Sequence, residues 1–510
     1  MFDSLEGRSP KSWTAFRGFA SPCDTDAVRG RSKPRDDQEY RADMRTIPLT
    51  GLLLAVVCAP GTAAESNSAA QLYKTHCSAC HGVNMEGAQY APLKKERWKY
   101  ALERKALFQI VMYGIPDTDM APFSRLLSKQ QAESLADYIL ESQDRLPEEA
   151  RQVPDSIRTA DYVIKTETLV ADGFRSAPWG IEFVDERRAL ISERRGGLRW
   201  MIDGKLDGVT IDGVPMPTQY SDSGMYDIVL DPDYQHNGWI YMGYVHALGD
   251  PSIRDTPAMT RVIRGRVKGH QWIDQETVFR VPDRLHFSRG SRWGCRLLFD
   301  SDGHLYFTIG DIGRNDEVQQ PSKPGGKVFR IFPDGSIPTD NPFVGKPGAL
   351  EAIFTIGNRN VQGIDQHPET GALWATEHGP MGGDELNILE LGGNYGWPVI
   401  TYGINYDGSV VSDLTHQDGM EQPIKYWTPS PGLSALEFYT GEMFPKWKNN
   451  ALIGAMRFEQ IKRLELGSDH VAHEEVLLKG YGRVRDIKTG PEGAIYVLLN
   501  NPHKVVRLSR

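Results

Sequence analysis

The chain has 510 residues, a formal net charge of −9 at pH 7 and a hydrophobic content of 40%. This composition is typical of a globular protein, and the length leaves room for more than one hydrophobic core. The acidic balance gives no support for nucleic-acid binding, which normally needs an excess of positive charge.

A secretory signal peptide is predicted at residues 44–64. This segment, MRTIPLTGLLLAVVCAPGTAA, has a short basic start, an apolar run and then small residues. The apolar run is too short for a membrane span. Residues 1–43 are polar and have no apolar period, so we expect them either to precede the true start or to form a disordered extension. A periplasmic protein without a transmembrane span in its mature chain is therefore expected.

A C-x-x-C-H motif follows the signal peptide, in the run THCSACHG. This motif is typical of covalent c-type haem attachment, in which Cys77 and Cys80 would form thioethers and His81 would bind the iron. The attachment of c-type haem takes place outside the cytoplasm, which agrees with export. After signal-peptide cleavage the only further cysteine is Cys295, so a framework of intrachain disulfides is not expected.

The residues after this motif show helical periodicity. The apolar residues of ERKALFQIVMYGI and of LSKQQAESLADYILES recur at spacings of three and four, and Ser128 is the expected N-cap of the second helix. Residues 66–145 resemble a small class I cytochrome c, which implies an all-α haem domain. A polar, Pro-containing linker is predicted at residues 146–160.

A methionine is expected to be the second axial ligand of the haem iron. Met120 lies in the Pro-containing loop GIPDTDMAPF between the two predicted helices. A thioether ligand raises the haem potential and suits electron transfer. Met85 and Met112 are the alternatives, although Met112 lies within an apolar helical stripe, where methionine usually packs in a core.

The remainder of the chain, residues 161–510, has the pattern of an all-β domain. Short β-rich runs recur, each near a Gly-containing turn: RRALISER, NGWIYMGYVHA, DGHLYFTIGD, TGALWATEHG, NNALIGAM and EGAIYVLLNN. Many short strands of this kind indicate a sandwich, a barrel or a propeller. The region is too long for a sandwich, so it favours a propeller of about six blades with four strands each.

Several predicted loops of this domain carry cationic and amide side chains. Arg359 and Asn360 lie in TIGNRNVQG, Arg457 lies in GAMRF, and Arg483 and Arg485 lie two residues apart in GRVRD. Cations from distant segments that meet on one loop face would favour a polyanionic ligand. For any single arginine, solvated surface charge is the alternative interpretation.

Four segments resemble the soluble PQQ-dependent aldose sugar dehydrogenases, also called the glucose/sorbosone dehydrogenase family. They are TIGNRNVQG, EHGPMGGDELNILELGGNYGWP, DNPF and GRVRDIKTGPEGAIYVL. The similarity extends from about residue 165 to the C-terminus, and the family fold is a six-bladed propeller. The expected architecture is therefore an all-β six-bladed propeller preceded by a small all-α cytochrome c domain.

The resemblance implies two cofactors for the propeller, pyrroloquinoline quinone (PQQ) and calcium. The positions that match residues holding the carboxylates and the ortho-quinone of PQQ are Arg359, Asn360, Arg457, Arg483 and Arg485. Arg457 stands where the family commonly has lysine. The positions that match the calcium ion polarising the quinone are the backbone carbonyls of Gly379 and Pro380. A second, structural calcium site matches Asp384, Glu385 and Tyr395.

The substrate pocket departs from the family pattern at one position. Asp311 and Trp427 match residues that line the sugar pocket, but Arg292 occupies the place of the histidine that serves as general base. An arginine stays protonated and cannot be a base. Asp311 is then the preferred proton acceptor, and His286 would substitute only if its loop folds back. Slow turnover is expected, or a preference for acidic substrates such as hydrated aldehydes or sugar acids.

The sequence therefore predicts a periplasmic dehydrogenase that depends on PQQ and calcium and oxidises a sugar or a related alcohol or aldehyde. Electrons would pass singly to the fused haem c and then to a soluble cytochrome or a respiratory chain component. One alternative is a carbohydrate- or anion-binding propeller without oxidation, and another is a calcium-dependent, lactonase-like propeller. The arginine set argues against the lactonase, and the haem argues against a pure binding module.

Overall fold

The computed structural model describes residues 68–82, 85, 93, 104–114, 120, 122–142, 152–218, 222–253, 255–406, 409–467 and 470–510. The predicted signal peptide and the residues before it lie outside the described residues. Within the described ranges, no helix combines the length and the apolar character needed to cross a membrane.

The region around the C-x-x-C-H motif is helical, as predicted. Its helices are α1 (Ala69–His76), α2 (Ser78–His81), α3 (Arg104–Tyr113) and α4 (Lys129–Glu141). Helix α4 begins after the predicted N-cap: Ser128 Oγ accepts a hydrogen bond from the backbone N–H of Gln131 at 3.2 Å, and Gln131 Oε1 accepts one from the backbone N–H of Ser128 at 2.9 Å. This reciprocal pair satisfies two donors at the helix start.

Helices α1, α3 and α4 pack together through one apolar face each. The buried side chains of this small core include Leu72, Tyr73, Cys77, Met85, Leu107, Val111, Met112, Leu127, Leu135 and Ile139. Apolar residues at spacings of three and four on α3 and α4 place this face toward the core. An exposed ion pair, with 2.6 Å between Arg104 Nε and Asp137 Oδ1, also joins α3 to α4.

The remaining described residues form six antiparallel sheets, or blades. The first two strands are β1 (Ser156–Arg158) and β2 (Val163–Val170). Blade 1 contains β3 (Pro178–Phe183), β4 (Arg188–Glu193), β5 (Leu198–Ile202) and β6 (Lys205–Thr210). Blade 2 contains β7 (Met225–Leu230), β8 (Ile240–Ala247), β9 (Ala258–Lys268) and β10 (Gln271–Phe279), with the short helix α5 (Tyr234–Asn237) between β7 and β8. Blade 3 contains β11 (Leu297–Phe299), β12 (Leu305–Ile309), β13 (Lys327–Ile331) and β14 (Ile353–Ile356).

The last three blades complete the domain. Blade 4 contains β15 (Val361–Gln366), β16 (Leu373–Glu377), β17 (Asp384–Leu389) and β18 (Lys425–Trp427). Blade 5 contains β19 (Leu433–Phe438), β20 (Ala451–Ala455), β21 (Gln460–Leu466) and β22 (Val471–Leu477). Blade 6 contains β23 (Arg483–Thr489), β24 (Ile495–Asn500) and β25 (Lys504–Ser509), joined by β2 and β1.

The blades close into a ring. The first strands of successive blades contact one another in the order β3, β7, β11, β15, β19 and β23, and β23 contacts β3 again. Blade 6 is shared between the two ends of the domain, because β2 pairs antiparallel with β25. The architecture is a six-bladed propeller, which confirms the predicted fold.

The six β-rich runs seen in the sequence are the second strands of the six blades: β4, β8, β12, β16, β20 and β24. Every residue of β12, β16, β20 and β24 is buried. The second strand of a blade has a paired strand on each edge and a neighbouring blade on each face. Its sequence is therefore a continuous apolar run rather than an alternation of apolar and polar residues. The sequence pattern therefore found one strand of each blade.

The innermost strands carry a repeated irregularity. Register shifts interrupt the pairing of β3, β7, β15, β19 and β23 near their first residues, whereas β11 pairs regularly. A β-bulge of this kind turns a side chain away from the direction that simple alternation would give it. Gln362 of β15 and Arg485 of β23 lie within two of these shifts.

A buried arginine ties the innermost strands together around the central channel. Arg296, one residue before β11, donates from Nη1 to Asp486 Oδ1 at 2.7 Å and to Asp227 Oδ1 at 3.3 Å. Its Nε donates to the carbonyl of Gln362 at 2.7 Å, and its Nη2 donates to the carbonyl of Arg485 at 2.7 Å. One guanidinium thus links blades 2, 3, 4 and 6.

Candidate functional site

Arg359 lies in the turn between β14 and β15 and is buried. Its backbone N–H donates to the Glu377 carboxylate, and its Nη1 donates to the carbonyls of His378 at 3.0 Å and Gly379 at 2.8 Å. Its Nε is buried and has no hydrogen-bond partner among the described residues. Burial and the nearby charge of Arg292 lower the pKa of Arg359. The guanidinium therefore has an unused buried donor.

Arg485 is the extra residue of the bulge in β23 and is also buried. Its Nη1 donates to Gln362 Oε1 at 3.2 Å, and its guanidinium lies 3.8 Å from the centre of the Trp179 ring. Its Nε is a second buried donor with no partner in the described part of the chain. Burial and the charges of Arg296 and Arg483 hold the pKa of Arg485 well below its usual range.

His378 adds a buried ring nitrogen to this cluster. Its Nε2 is buried and lacks a hydrogen-bond partner within the described ranges. Burial and the charges of Arg359 and Arg485 lower the pKa of His378 to about 3, so the ring is neutral at neutral pH. Arg457, whose pKa is lowered by burial, donates from Nη1 to the carbonyl of Ser430 at 3.4 Å. The arginines therefore concentrate positive charge here, and the described residues offer few acceptors for it.

Asn360 and Gln362 extend the cluster along β15. The side-chain amide of Gln362 donates to Asn360 Oδ1 at 3.1 Å, and both residues are buried. Gln362 is thus bonded both to Asn360 and to Arg485. The structure brings together Arg359, Asn360 and Arg485, which the sequence analysis assigned to one ligand.

The carbonyls predicted for the first calcium ion lie in the loop after β16. The carbonyl of Gly379 accepts from Arg359 Nη1 at 2.8 Å, and the carbonyl of Pro380 accepts from Ser430 Oγ at 3.4 Å. Arg359 therefore lies directly beside a carbonyl that the resemblance assigns to calcium.

A buried carboxylate and a half-buried one face each other behind this loop. Glu377 of β16 and Glu385 of β17 are paired across the sheet. Burial raises the pKa of both, to about 7 for Glu377 and about 8 for Glu385, where the charge of Glu377 adds to the rise. Asn387 donates to Glu385 Oε2 at 3.2 Å, while Asn387 Oδ1 is buried without a partner among the described residues. These are oxygen groups of the type that calcium prefers.

Asp384 and Tyr395, also predicted for the structural calcium site, have contacts with the backbone. Asp384 Oδ1 accepts from the N–H of Gly379 at 2.9 Å, and its Oδ2 accepts from the N–H groups of Gly432 at 2.7 Å and Leu433 at 2.9 Å. The Tyr395 hydroxyl donates to a carbonyl of β17 at 2.6 Å. Asp384 thus fastens the loop after β16 to the start of β19.

Asp311 and Arg292 form the polar pair of the predicted substrate pocket. Arg292 Nε donates to Asp311 Oδ1 at 2.6 Å, and the backbone N–H of Gly313 donates to the same oxygen at 2.9 Å. Trp397 Nε1 donates to Asp311 Oδ2 at 3.1 Å. Asp311 is fully buried, at 0% exposure. Both of its oxygens are engaged, and Trp397 is a contact that the sequence analysis did not identify.

The backbone also positions Arg292. Its φ of 56° lies in the left-handed region, and its N–H donates to Asp222 Oδ2 at 2.5 Å. A Cβ on Gly310 would lie 2.0 Å from the carbonyl oxygen of Arg292, so only glycine allows this approach. The backbone at Arg292 is therefore held by Asp222 and by its close contact with Gly310.

Trp427 has contacts different from those of Asp311. Its Nε1 donates to Glu474 Oε2 at 3.2 Å, and the ammonium groups of Lys425 and Lys462 lie 5.4 Å and 5.5 Å from the centre of its ring. These partners belong to blades 4 and 5. Its place in the sugar pocket stays a prediction.

His286 also has its own set of neighbours. It follows the 3₁₀ segment Asp283–Leu285, and its Nδ1 lies 3.4 Å from the carbonyl of Pro282. Burial lowers the pKa of His286. The loop does not bring the ring to Asp311 among the contacts described, and a role as substitute base stays a prediction.

The haem-binding motif lies across the junction of α1 and α2. Cys77 is the C-terminal cap of α1 and is buried, whereas Cys80 and His81 lie on α2 and are half-buried. Burial and the neighbouring Cys80 raise the pKa of Cys77 to about 11. The Tyr73 hydroxyl donates to the carbonyl of Gly82 at 2.9 Å, which fixes the end of the motif.

The three candidate methionine ligands differ in burial. Met85 and Met112 belong to the small helical core, with exposures of 2% and 6%, whereas Met120 is half-buried and lies outside that core. Met85 and Met112 already have a packing role. Met120 stays the predicted axial ligand.

Replacing Met120 with alanine is expected to abolish the methionine-to-iron charge-transfer band of the oxidised protein, because the thioether ligand would be lost. Visible absorption of the oxidised wild type and variant measures this. Met112→Leu, a volume-conserving core change, should keep the band. A band that persists in Met120→Ala would refute the assignment.

Two family models match the chain. The model described as Glucose / Sorbosone dehydrogenase matches residues 175–507. The chain belongs to the glucose/sorbosone dehydrogenase family. The model described as Cytochrome C oxidase, cbb3-type, subunit III matches residues 64–139, so a cytochrome c-type domain precedes the glucose/sorbosone dehydrogenase propeller.

Similar proteins include sugar dehydrogenases. Aldose sugar dehydrogenase YliI of Escherichia coli is 37% identical over 327 residues, which cover 63% of this chain and 86% of the relative. Quinoprotein glucose dehydrogenase B of Acinetobacter calcoaceticus is 31% identical over 242 residues, which cover 43% of this chain and 49% of the relative. The apo-form structure of soluble aldose sugar dehydrogenase from Escherichia coli is 35% identical in sequence and superposes with a TM-score of 0.62. The match covers 68% of this chain and 99% of the Escherichia coli chain.

Proposed function

We propose that the propeller binds PQQ and calcium, oxidises a sugar or a related alcohol or aldehyde, and passes the electrons to a haem c held by the N-terminal domain in the periplasm. The observation that carries this proposal is a cluster of buried side-chain nitrogens without hydrogen-bond partners among the described residues, two of them on arginines. The Nε atoms of Arg359 and Arg485 and the Nε2 of His378 are buried and unpartnered among the described residues.

The chemistry of this cluster fits PQQ. A buried donor without an acceptor costs about 1–3 kcal/mol, and a buried charge is normally paired. An anion with several carboxylates would supply the missing acceptors for Arg359 and Arg485. Arg483, Arg457 and Asn360 would add contacts at its edges. The lowered pKa values of the buried arginines and of His378 have the same cause and mark a candidate functional site.

Side chains of blade 4 would also suit a calcium ion. The facing carboxylates of Glu377 and Glu385 and the unpartnered Asn387 Oδ1 form a set of hard oxygen groups suited to a divalent cation. A second calcium ion, held by the carbonyls of Gly379 and Pro380, would lie next to the cofactor. Calcium would therefore join blade 4 to the arginine cluster.

PQQ, when bound, supplies a two-electron oxidant for an alcohol or lactol carbon, and calcium polarises it. The chain's own residues then bind and orient the substrate and accept the hydroxyl proton. Asp311 is the predicted acceptor, but it is fully buried, and three hydrogen bonds already engage both of its oxygens. Slow turnover of neutral aldoses is therefore expected.

The haem domain would serve as a tethered electron acceptor. Cys77 and Cys80 would attach the haem, and His81 and Met120 would bind its iron. A tethered acceptor has a high effective concentration, so the reduced cofactor would not wait for a diffusing partner. A soluble cytochrome or a respiratory chain component would then remove the electrons one at a time.

The proposed function is tested by adding PQQ, calcium and a panel of sugars, alcohols and aldehydes to the purified haem-containing protein. Absorption of the reduced haem is the readout, and samples without PQQ or with a calcium chelator are the controls. Substrate-dependent haem reduction is expected only in the complete mixture. Bound PQQ without any reduction would favour a binding module, and lactone hydrolysis without PQQ would favour the lactonase-like alternative.

Adding calcium to the metal-free protein is expected to raise the unfolding temperature of the propeller. A ligand of the folded state alone stabilises it by about 2.7 kcal/mol at a hundred times its Kd. Glu385→Gln should remove the part of the rise that comes from the structural calcium site, because it removes a carboxylate ligand of that ion. Circular dichroism melts with chelator and then with excess calcium measure the effect. Glu186→Gln, at an exposed position, is the control, and an equal rise in Glu385→Gln would contradict the site.

A further inference from the structure

We propose that Arg292 selects substrates that carry a carboxylate, such as uronic acids, and that Asp311 and Asp222 hold it in position for this role. The inference rests on the proposed function, because it concerns the substrate of the same site. It follows from how the guanidinium is held, and from which of its donors are already used.

The guanidinium of Arg292 is fixed on one edge only. Its Nε donates to the buried Asp311 at 2.6 Å, while neither Nη1 nor Nη2 donates a hydrogen bond to another described residue. The side chain is 26% exposed, whereas that of Asp311 is fully buried. Asp311 therefore holds the guanidinium from below and leaves the other edge accessible to a ligand.

The groups that hold Arg292 act on both its side chain and its backbone. Asp311 is bonded by Trp397 and by the backbone of Gly313, and Asp222 accepts the backbone N–H of Arg292 at 2.5 Å. A side chain fixed in this way loses little conformational entropy when it binds. The planar pair of Nη donors matches a carboxylate in bidentate geometry, which a neutral hydroxyl cannot use as well.

The charges around Arg292 also agree with an anionic partner. Arg359 is near enough for the charge of Arg292 to lower its pKa. The carboxylates of Asp311 and Asp222 lie on the Nε and backbone sides of Arg292 rather than against its Nη donors. The accessible Nη edge of Arg292 therefore lies in a positively charged region, to which Arg359 also contributes.

A uronic acid meets both requirements of the site. It has a lactol carbon that can be oxidised and a carboxylate at the far end of the ring. Oxidation to the lactone removes two electrons and two protons from the lactol carbon and its hydroxyl, and the carboxylate is unchanged. The oxidants are those of the proposed function: PQQ would take the two electrons, and the soluble cytochrome or respiratory chain component would finally receive them one at a time by way of the haem.

The first test compares kcat/KM for glucuronate and for glucose, which differ at the C6 carboxylate. Wild type is expected to prefer glucuronate, and Arg292→Gln should lower the preference tenfold or more, because one charge-assisted contact is lost. Glutamine keeps a donor for Asp311. Arg289→Gln is the matched control, since Arg289 lies in the same loop and pairs with Asp255 at an exposed position; it should keep the wild-type preference.

The second test measures binding without turnover. Methyl glucuronide and methyl glucoside have no free lactol hydroxyl, so calorimetric titration reports recognition alone. Wild type should bind methyl glucuronide at least tenfold more tightly than methyl glucoside, and Arg292→Gln should bind the two alike. Should Arg292→Gln not fold, Arg292→Lys keeps the ion pair with Asp311 and is expected to lose part of the preference.

Equal affinity of wild type for the two methyl glycosides would overturn the inference. An equal fall of kcat for both sugars in Arg292→Gln, together with weaker PQQ binding, would also overturn it and assign Arg292 to the cofactor. Failure of the proposed function looks different, because PQQ would then not bind or no substrate would reduce the haem. The binding test does not depend on either of those results.

Discussion

Replacing Arg485 with methionine is expected to weaken PQQ binding to the propeller by tenfold or more. A hydrogen bond to a charged group contributes about 1.5–3 kcal/mol, and methionine removes the charge while it keeps an unbranched stem against Trp179. The unfolding temperature of the apo-protein should stay equal or rise. In the free protein this guanidinium is buried near Arg296 and has an unsatisfied Nε.

Fluorescence titration with PQQ and calcium measures the affinity, and thermal unfolding without PQQ measures the stability. Arg187→Met is the control, because Arg187 forms an exposed pair with Asp203 far along the chain from the cluster. Equal PQQ affinity in wild type and Arg485→Met would refute the assignment of Arg485 to PQQ binding. A large loss of apo-protein stability with unchanged affinity would make Arg485 a structural residue.

Replacing Arg296 with methionine is expected to destabilise the propeller by about 3–5 kcal/mol, the cost of leaving buried partners of an ion pair uncompensated. Arg296 is the cation between Asp227 and Asp486, and Asp486 also accepts the backbone N–H of Ile181 at 3.0 Å. Without it, two carboxylates on different blades would be buried close together. The carbonyls of Gln362 and Arg485 would lose donors as well.

Guanidinium denaturation followed by tryptophan fluorescence reports the propeller, and haem absorbance follows the N-terminal domain separately. Adding Asp227→Asn and Asp486→Asn to Arg296→Met should recover part of the stability, since it removes the uncompensated charges. Arg187→Met should cost less than about 1 kcal/mol because its pair is exposed. A loss for Arg296→Met no larger than for Arg187→Met would contradict the role of Arg296.

These two arginines show how the propeller separates stability from binding. Arg296 has carboxylate or carbonyl partners for Nε, Nη1 and Nη2. Arg485, in the adjacent part of the channel, has one side-chain acceptor and a tryptophan face. Arg296, whose donors all have acceptors, stabilises the ring of blades. Arg485, whose Nε has no acceptor among the described residues, is available to a ligand.

The amino-acid sequence alone determined the local features. The C-x-x-C-H motif and the Ser128 cap depend on residues a few positions apart, and each second strand is apolar because it is buried on both faces. The motif segments also identified Arg359, Asn360 and Arg485, which the structure brings together. Local spacing and local hydrophobicity are enough for such features.

Only the tertiary structure decided how the site is assembled. The contact of Arg485 with Gln362 and Trp179 depends on bulges in three different strands, which simple alternation does not predict. Trp397 of another blade donates a hydrogen bond to Asp311, and the other oxygen of Asp311 accepts one from Arg292. These contacts join residues far apart in the chain, so they exist only once the blades have closed into a ring.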